Sequence, residues 1–162
     1  MTLLEMQNRV CQYSKMCEKR FVGGEVYFNE LDRLIKCDTE LLCNYMLYIA
    51  CQENTRNFVC SGEIGKRILK CKHKRLLPEN FNIVVLNGGL RLGKRVVQLN
   101  SAKTNGNYIF VDDSLYSGKT LRAAKEYLNQ NGAEIAKCYV FYDGSLSYRS
   151  DVSSLYRYYK TN

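Results

Sequence analysis

The sequence predicts an α/β domain with a small, mostly parallel sheet flanked by helices. The first observation is size, because 162 residues, 46% of them apolar and one of them proline, suit a single domain with a buried core. The second is order. From residue 108 to residue 142 a strand, a helix and a strand follow one another, which is a βαβ pattern and implies parallel strands. The same alternation recurs upstream.

The downstream unit starts at residues 108–111, an apolar run that is too short for a helix and therefore predicts a buried strand. Residues 120–130 carry apolar side chains at helical spacing, and Asn131 followed by Gly132 is a helix stop signal. Residues 135–142 are the next predicted strand. This unit is the clearest part of the predicted sheet.

The upstream unit has weaker signals of the same kind. Residues 41–52 predict a helix, residues 58–60 a short strand and residues 61–62 a turn. Residues 64–72 predict a basic helix, and residues 83–86 the next strand. Two alternating units in one chain favour a parallel sheet with helices on both faces.

A long segment without periodicity, residues 87–107, separates the two units. It is rich in glycine and asparagine and carries four cations, Arg91, Lys94, Arg95 and Lys103. Structureless segments of this length in small domains are usually functional loops or disordered. We therefore expect a loop here that serves the site.

The net charge is +8, and much of it lies in residues 66–75. Lys66, Lys70 and Lys74 share one helical face, since four residues are about one turn. Two interpretations remain open. The face is simply solvated, or it binds a polyanion, either nucleic acid or a phosphorylated substrate.

The eight cysteines contain no C-x-x-C pair, and His73 is the single histidine. Structural zinc sites usually need closely spaced ligands, so buried free thiols in a reducing compartment are the favoured interpretation. One histidine also disfavours a Ser-His or Cys-His nucleophile. No run has the length of a membrane span, and Glu5 and Arg9 interrupt the place of a signal peptide, so we expect a soluble, cytoplasmic protein.

Residues 110–121, FVDDSLYSGKTL, end like a nucleotide-binding P-loop. A P-loop needs a glycine five residues before its second glycine, because the chain turns tightly around a phosphate. That position holds Asp113, whose negative charge would repel phosphate. The P-loop interpretation therefore fails.

The same residues are typical of a different kind of ligand site. Asp112 and Asp113 end the predicted strand, where ligands of open parallel sheets bind. The next residues lead into a helix N-terminus, which attracts anions, while Ser117 and Thr120 add hydroxyl donors and Gly118 permits close approach to the backbone. This arrangement suits a sugar phosphate, with the carboxylates accepting from sugar hydroxyls or holding a hydrated metal ion. The alternative interpretation is structural: the two aspartates lie between a strand and a helix N-cap, as is common in α/β proteins, and bind no ligand.

Residues 111–121, VDDSLYSGKTL, resemble the phosphoribosyl pyrophosphate motif of type I phosphoribosyltransferases, and the match continues through residues 122–124. The motif is most similar to that of the pyrimidine-operon attenuator proteins, which have uracil phosphoribosyltransferase activity and a tyrosine where Tyr116 stands. The resemblance implies that Asp112 and Asp113 hold the ribose hydroxyls. It assigns the 5′-phosphate to Ser114, Leu115, Tyr116, Ser117, Gly118, Lys119 and Thr120.

The resemblance, which covers about residues 55–145, also implies the rest of the site. Ser61 and Gly62 take the place of the pyrophosphate loop, although the family often has a basic residue where Ser61 stands. A rival alignment puts that loop at residues 87–89. Mg²⁺ is the implied cofactor, held by Asp112 and Asp113 directly or through water, and Arg91 and Lys94 join the two aspartates as candidate catalytic residues.

The resemblance further implies how the chain is organised. Residues 1–162 form one domain, in which residues 1–40 are an N-terminal hood or extension, residues 41–145 the core and residues 146–162 a C-terminal tail. Family enzymes for 6-oxopurines have an aspartate where Tyr116 stands, near the purine N7. Tyrosine, with a pKa near 10, is a poor base at neutral pH, which disfavours such a substrate.

Two functions from different classes remain. The first is Mg²⁺-dependent transfer of a phosphoribosyl group from phosphoribosyl pyrophosphate to a nitrogenous base other than a 6-oxopurine. The second is a non-catalytic sensor of phosphoribosyl pyrophosphate or a nucleotide, which binds RNA or a protein through its basic surface. The candidate partners are phosphoribosyl pyrophosphate or a nucleoside monophosphate, RNA and a second copy of the chain. No membrane partner is expected.

Overall fold

The computed structural model describes residues 1–20, 24–86, 106–145 and 149–158. Within them the helices are α1 (Leu3–Arg20), α2 (Gly24–Cys37), α3 (Thr39–Glu53), α4 (Gly62–His73) and α5 (Lys119–Gln130). The strands are β1 (Asn57–Ser61), β2 (Asn82–Leu86), β3 (Gly106–Leu115), β4 (Ala133–Asp143) and β5 (Val152–Arg157).

The five strands form one sheet in the order β2-β1-β3-β4-β5, and all neighbouring strands are parallel. β3 therefore lies in the middle, between β1 and β4. Its residues 108–113 are buried, as expected for a parallel strand that is covered on both faces. The predicted fold class, a small parallel sheet flanked by helices, is confirmed.

Alternate buried residues of β3 point to different helical layers. Ile109 and Val111 of β3 belong to a core that includes buried residues of α1, α2, α3 and α4. Tyr108 and Phe110 belong to a second core with α5. The period of two along a strand is what separates the layers, and it also directs the polar residues at the end of β3.

Three predicted boundaries are corrected. β3 begins at Gly106, so the long connection is shorter than residues 87–107. β3 also continues to Leu115, so Asp112 and Asp113 lie within the strand rather than after it. The segment assigned to a tail, residues 146–162, contributes the edge strand β5, whose pairing with β4 makes it part of the core.

The N-terminal extension is two long helices joined to the main core. Met6 and Val10 of α1, together with Leu31 and Ile35 of α2, are at most 1% exposed and pack in the core beneath the sheet. Burial at positions 27, 31 and 35 gives α2 an apolar face with a spacing of one helical turn. This packing fixes α2 beside the carboxyl end of β3, where its Lys36 reaches Asp113.

The basic helix α4 packs through Ile64, Ile68 and Cys71 and leaves Lys66 and Lys70 exposed. All eight cysteines are free thiols, as predicted, and five of them are buried. The prediction of burial is wrong for Cys37 and Cys51, which are exposed. Among the residues that the structure describes, no helix has both the length and the apolar character needed to cross a membrane.

Candidate functional site

The two carboxylates at the end of β3 diverge. Asp112 and Asp113 are each 8% exposed, and consecutive strand residues point to opposite faces of the sheet. The Asp113 N–H donates to Asp112 Oδ1 at 2.8 Å, and Ser114 Oγ donates to Asp113 Oδ1 at 3.2 Å. The carboxylates are thus held in place by hydrogen bonds from their own backbone and from the next side chain.

Asp113 faces helix α2. Its Oδ2 lies 3.3 Å from Nζ of Lys36, and this ion pair is largely shielded from water. The Lys36 carbonyl in turn accepts a hydrogen bond from Arg67 Nη1 of α4 at 3.3 Å. The ion pair therefore joins α2 to the central strand, beside the helix that follows β1.

Residues 116–118 connect β3 to α5 and lead into the N-terminus of that helix. Gly118 is the N-cap residue of α5 with φ of 78°, a left-handed conformation that glycine adopts without steric cost, and it has no side chain to cap the first turn. Ser117 Oγ accepts from the Lys119 N–H at 3.4 Å. The first N–H groups of α5 and the positive end of its dipole are available to a phosphate. We call residues 114–120 the phosphate loop.

A cavity of about 580 Å³ lies between the phosphate loop and α2. It brings Asp112 and all seven predicted phosphate-binding residues together with residues of α2. Its lining consists of Phe28, Asn29, Asp32, Phe110, Asp112, Ser114, Leu115, Tyr116, Ser117, Gly118, Lys119, Thr120 and Leu121. Asp113 does not line the cavity, because it points toward Lys36.

The tyrosines beside the cavity form a hydrogen-bonded chain. Tyr142 Oη donates to Asp32 Oδ1 at 2.5 Å, and the hydroxyls of Tyr116 and Tyr142 are hydrogen-bonded to each other. Burial, and next to it the Asp32 carboxylate, raise the pKa of Tyr142. Burial also raises the pKa of Tyr116, against the opposing effect of its hydrogen bond with Tyr142. Both phenols keep their protons at neutral pH.

The predicted turn at Ser61 and Gly62 is a sharp corner. Ser61 ends β1, Gly62 begins α4 with φ of 56°, and no residue separates them. β1 pairs directly with β3 up to Cys60 opposite Val111, so the corner lies at the level of Asp112. β2 is an edge strand and is separated from β3 by β1. The sheet order is thus more compatible with a pyrophosphate loop after β1 than with the rival alignment after β2.

The predicted loop cations lie outside the described residues. Arg91, Lys94, Arg95 and Lys103 all belong to residues 87–105, as does the rival pyrophosphate segment at residues 87–89. Their roles stay predictions. No cluster of three or more metal-ligating side chains occurs in the described ranges. Mg²⁺, however, is commonly bound by one or two carboxylates together with substrate phosphates and water, and the Asp112 carboxylate at the cavity wall fits that donor set.

α2 and β4 bring to the site several residues that no sequence pattern indicated. These are Phe28, Asn29 and Asp32 in the cavity wall, Lys36 beside Asp113, and Tyr142 behind Tyr116. The apolar residues Tyr27, Leu31 and Ile35, four apart, would have predicted the helix α2. They would not have shown that its neighbouring face meets the end of β3.

Comparison with known proteins identifies the same part of the chain. The family model described as a phosphoribosyl transferase domain matches residues 81–162, which include β2, β3, the phosphate loop, α5, β4 and β5. None of the curated proteins compared with the chain is significantly similar to it in sequence.

Solved structures with a similar fold include several phosphoribosyltransferases. The orotate phosphoribosyltransferase of Aeropyrum pernix has a TM-score of 0.51 at 15% identity, over 73% of this chain and 70% of that one. The purine phosphoribosyltransferase of Pyrococcus horikoshii has a TM-score of 0.50 at 15% identity, over 74% and 83%. A hypoxanthine-guanine phosphoribosyltransferase of Bacillus anthracis has a TM-score of 0.50 at 16% identity, over 75% and 79%. At these identities the likeness establishes the fold.

Proposed function

Because the chain belongs to the phosphoribosyl transferase domain family, we propose that it transfers a phosphoribosyl group from phosphoribosyl pyrophosphate to a nitrogenous base other than a 6-oxopurine. The observation that carries the proposal is the cavity of about 580 Å³. One end of it offers the N-terminus of α5, and the wall offers the Asp112 carboxylate. A phosphate and a sugar hydroxyl need these two kinds of partner.

The phosphate loop holds the 5′-phosphate in this proposal. Backbone N–H groups at the start of α5 and the hydroxyls of Ser117 and Thr120 donate to the phosphate oxygens, and Gly118 allows the backbone to approach them. Asp112 accepts from a ribose hydroxyl. Asp113 accepts from the other hydroxyl once the ligand competes with Lys36 for its carboxylate.

The pyrophosphate end is completed by Ser61, Gly62, Arg91 and Lys94. The corner between β1 and α4 lies beside Asp112, so its backbone can face the leaving group. Arg91 and Lys94 add positive charge that offsets the charge developing on the departing pyrophosphate. Mg²⁺, held by Asp112 and Asp113 directly or through water, supplies further neutralisation when it is bound. The displacement at the anomeric carbon passes through an oxocarbenium-like state.

The exclusion of 6-oxopurines rests on Tyr116. Its hydroxyl is hydrogen-bonded to Tyr142, and its burial raises its pKa, so it does not serve as a base toward a purine N7 at neutral pH. The tyrosine at this place is also what makes the motif similar to that of the pyrimidine-operon attenuator proteins, which supports a uracil phosphoribosyltransferase-like relationship.

Calorimetry with phosphoribosyl pyrophosphate and Mg²⁺ tests the proposal. Asp112→Asn removes a charged acceptor at the cavity wall and should weaken binding roughly tenfold or more. Glu134→Gln is the matched control, because it removes one charge from an exposed residue near the amino end of β4. Release of pyrophosphate with a panel of bases then tests turnover. Equal affinity of wild type and Asp112→Asn would reject the site.

A second candidate, a nucleotide sensor that binds RNA, is favoured by the exposed lysines of α4. Lys66, Lys70 and Lys74 are exposed at successive turns, while the corner at Ser61 and Gly62 carries no cation. Changing the three lysines to glutamate should leave turnover within a few-fold if the protein is an enzyme, since exposed charges contribute little locally. Tight wild-type RNA binding that falls steeply with salt, is abolished by these changes and is accompanied by no turnover would favour the sensor.

A further inference from the structure

The corner between β1 and α4 offers a helix N-terminus but no cation in its first turn. α4 has 12 residues, its N-cap Ser61 makes no side-chain capping hydrogen bond, and the charged residue of its first turn is Glu63. Apart from the adjoining backbone, no described atom lies within 4 Å of a Cβ placed on Gly62, so there is open space beside the corner. A pyrophosphate group in that space would need positive charge from another element.

The two cations in the next turn of α4 do not supply that charge. Lys66 is exposed on the side of the helix opposite the buried Ile64. Arg67 Nη1 donates to the carbonyl oxygen of Lys36 at 3.3 Å, and Arg67 Nε lies 3.9 Å from Glu63 Oε1. Lys66 thus points to solvent, and Arg67 is already engaged.

Lys36 of α2 brings a cation to the corner from another part of the fold. β1 and β3 are adjacent, with Cys60 opposite Val111, so the corner is level with Asp112 and Asp113 at a strand spacing of about 4.8 Å. Nζ of Lys36 lies 3.3 Å from Oδ2 of Asp113. Because α2 and α4 both pack on the same core, this ammonium group lies on the corner's side of the sheet.

Contacts along α2 and α4 hold Lys36 in this place. Its carbonyl belongs to the last turn of α2, where carbonyl groups have no partner within their own helix, and Arg67 Nη1 donates to it. Phe28, Asp32 and Lys36 follow at intervals of four residues, about one turn each, so one face of α2 runs from the cavity wall to Asp113. A ligand that extends from the cavity past Asp113 therefore reaches Lys36.

Resting on the phosphoribosyl transfer proposed above, we propose that Lys36 binds the pyrophosphate group of phosphoribosyl pyrophosphate and supplies the cation that the corner lacks. Among the described residues, Asp113 is the carboxylate that pairs with Nζ. An ammonium group carries three N–H donors. When a ribose hydroxyl donates to Asp113, the ammonium group turns one or more of its donors to a pyrophosphate oxygen. Ribose binding at Asp113 and pyrophosphate binding at Lys36 are thereby coupled.

Three ligands, titrated with Mg²⁺ by calorimetry, separate this role from a purely structural one. Ribose 5-phosphate contains the sugar and its phosphate, inorganic pyrophosphate contains the leaving group, and phosphoribosyl pyrophosphate contains both. Lys36→Met should weaken the two pyrophosphate ligands about tenfold or more, the effect of one charge-assisted hydrogen bond. Its affinity for ribose 5-phosphate should stay the same or rise, because the sugar no longer competes with Lys36 for Asp113.

Two further variants are controls. Lys36→Arg keeps the positive charge and the N–H donors, and it should retain most of the affinity for pyrophosphate. Arg33→Met removes one positive charge from the same helix, at an exposed side chain that pairs with Glu30, and should leave all three affinities unchanged. Should Lys36→Met fail to fold, the comparison is made in the Asp113→Asn background, where no buried carboxylate loses its cation. Adding Lys36→Met there should again weaken pyrophosphate about tenfold.

The outcomes distinguish this inference from the function on which it rests. Failure of the wild type to bind phosphoribosyl pyrophosphate would overturn both. If the wild type binds it, an equal loss of affinity for ribose 5-phosphate and the pyrophosphate ligands in folded Lys36→Met would overturn the role of Lys36 alone. Unchanged affinity for the pyrophosphate ligands, in Lys36→Met or on adding that change to Asp113→Asn, would overturn it as well.

Discussion

Lys36 Nζ of helix α2 lies 3.3 Å from Oδ2 of Asp113, a carboxylate of the central strand. The side chains are 24% and 11% exposed, so both charges are mostly withdrawn from water. Lys36→Met should therefore lower the free energy of unfolding by about 1–3 kcal/mol, because Asp113 is left buried without its cation. Lys36→Arg should retain most of the stability.

A double-mutant cycle in urea measures this ion pair. Asp113→Asn removes the buried charge, and the cost of Lys36→Met should become much smaller in that background. If the two changes are simply additive, Lys36 and Asp113 do not stabilise one another in solution.

The backbone at Gly118 gives a second prediction. Gly118→Ala places a Cβ on a residue with φ of 78°, which should cost about 1–2 kcal/mol of stability. The added Cβ also meets Arg149 Nη1 at 2.9 Å, a contact that the flexible side chain can relieve. Gly132→Ala is the matched control, since Gly132 has the same φ of 78° after the other end of α5. Both variants should lose stability, but only Gly118→Ala should also weaken binding of a nucleoside monophosphate, measured by calorimetry.

Gly144 controls the position of Tyr116. A Cβ at Gly144 would lie 2.7 Å from Cε1 and 2.9 Å from Cδ1 of the Tyr116 ring. Gly144→Ala should therefore displace the ring, break its hydrogen bond with Tyr142, and raise KM for the base more than KM for phosphoribosyl pyrophosphate. Tyr116→Phe keeps the ring and loses the hydroxyl, so it should change base use less. Equal changes in both KM values for Gly144→Ala would argue against a local effect.

The buried phenols predict a loss of stability in alkali. Burial raises the pKa of Tyr142, Tyr116 and Tyr45 above the value of about 10 expected in the unfolded chain. Because the pKa is higher in the folded protein, these phenols contribute fully to the free energy of unfolding below about pH 10. The contribution is lost above that pH, as the unfolded chain releases its phenolic protons first. Tyr142→Phe should have a lower free energy of unfolding than wild type at pH 8. Above pH 10 its free energy of unfolding should fall less steeply, and the two slopes should differ by about 1.4 kcal/mol per pH unit.

Urea unfolding at a series of pH values, with tyrosinate absorbance followed in the folded protein, checks this prediction. Parallel curves for wild type and Tyr142→Phe would mean that Tyr142 ionises as easily in the folded protein as in the unfolded chain.

The sequence by itself determined the features that are continuous along the chain. The central βαβ unit was predicted because strand and helix periodicities are local, and its boundaries were off by only a few residues at each end. The connection between β3 and α5 was predicted as well, and its role as a phosphate site stays a prediction from the carboxylates, hydroxyls and glycine that follow one another there. A backbone anion site needs no partner from elsewhere in the chain, so its order in sequence is nearly its arrangement in space.

Tertiary packing decided which side chains from other elements lie next to the phosphate loop. Asp32 and Tyr142 are 110 positions apart in sequence, and their hydrogen bond exists because α2 and β4 pack into one core at the carboxyl end of the sheet. The same packing turns Asp113 toward Lys36 and leaves Asp112 at the cavity, a division that follows from strand alternation once β3 extends through both residues. A local pattern cannot encode these contacts, because each depends on which faces of distant elements the hydrophobic core buries together.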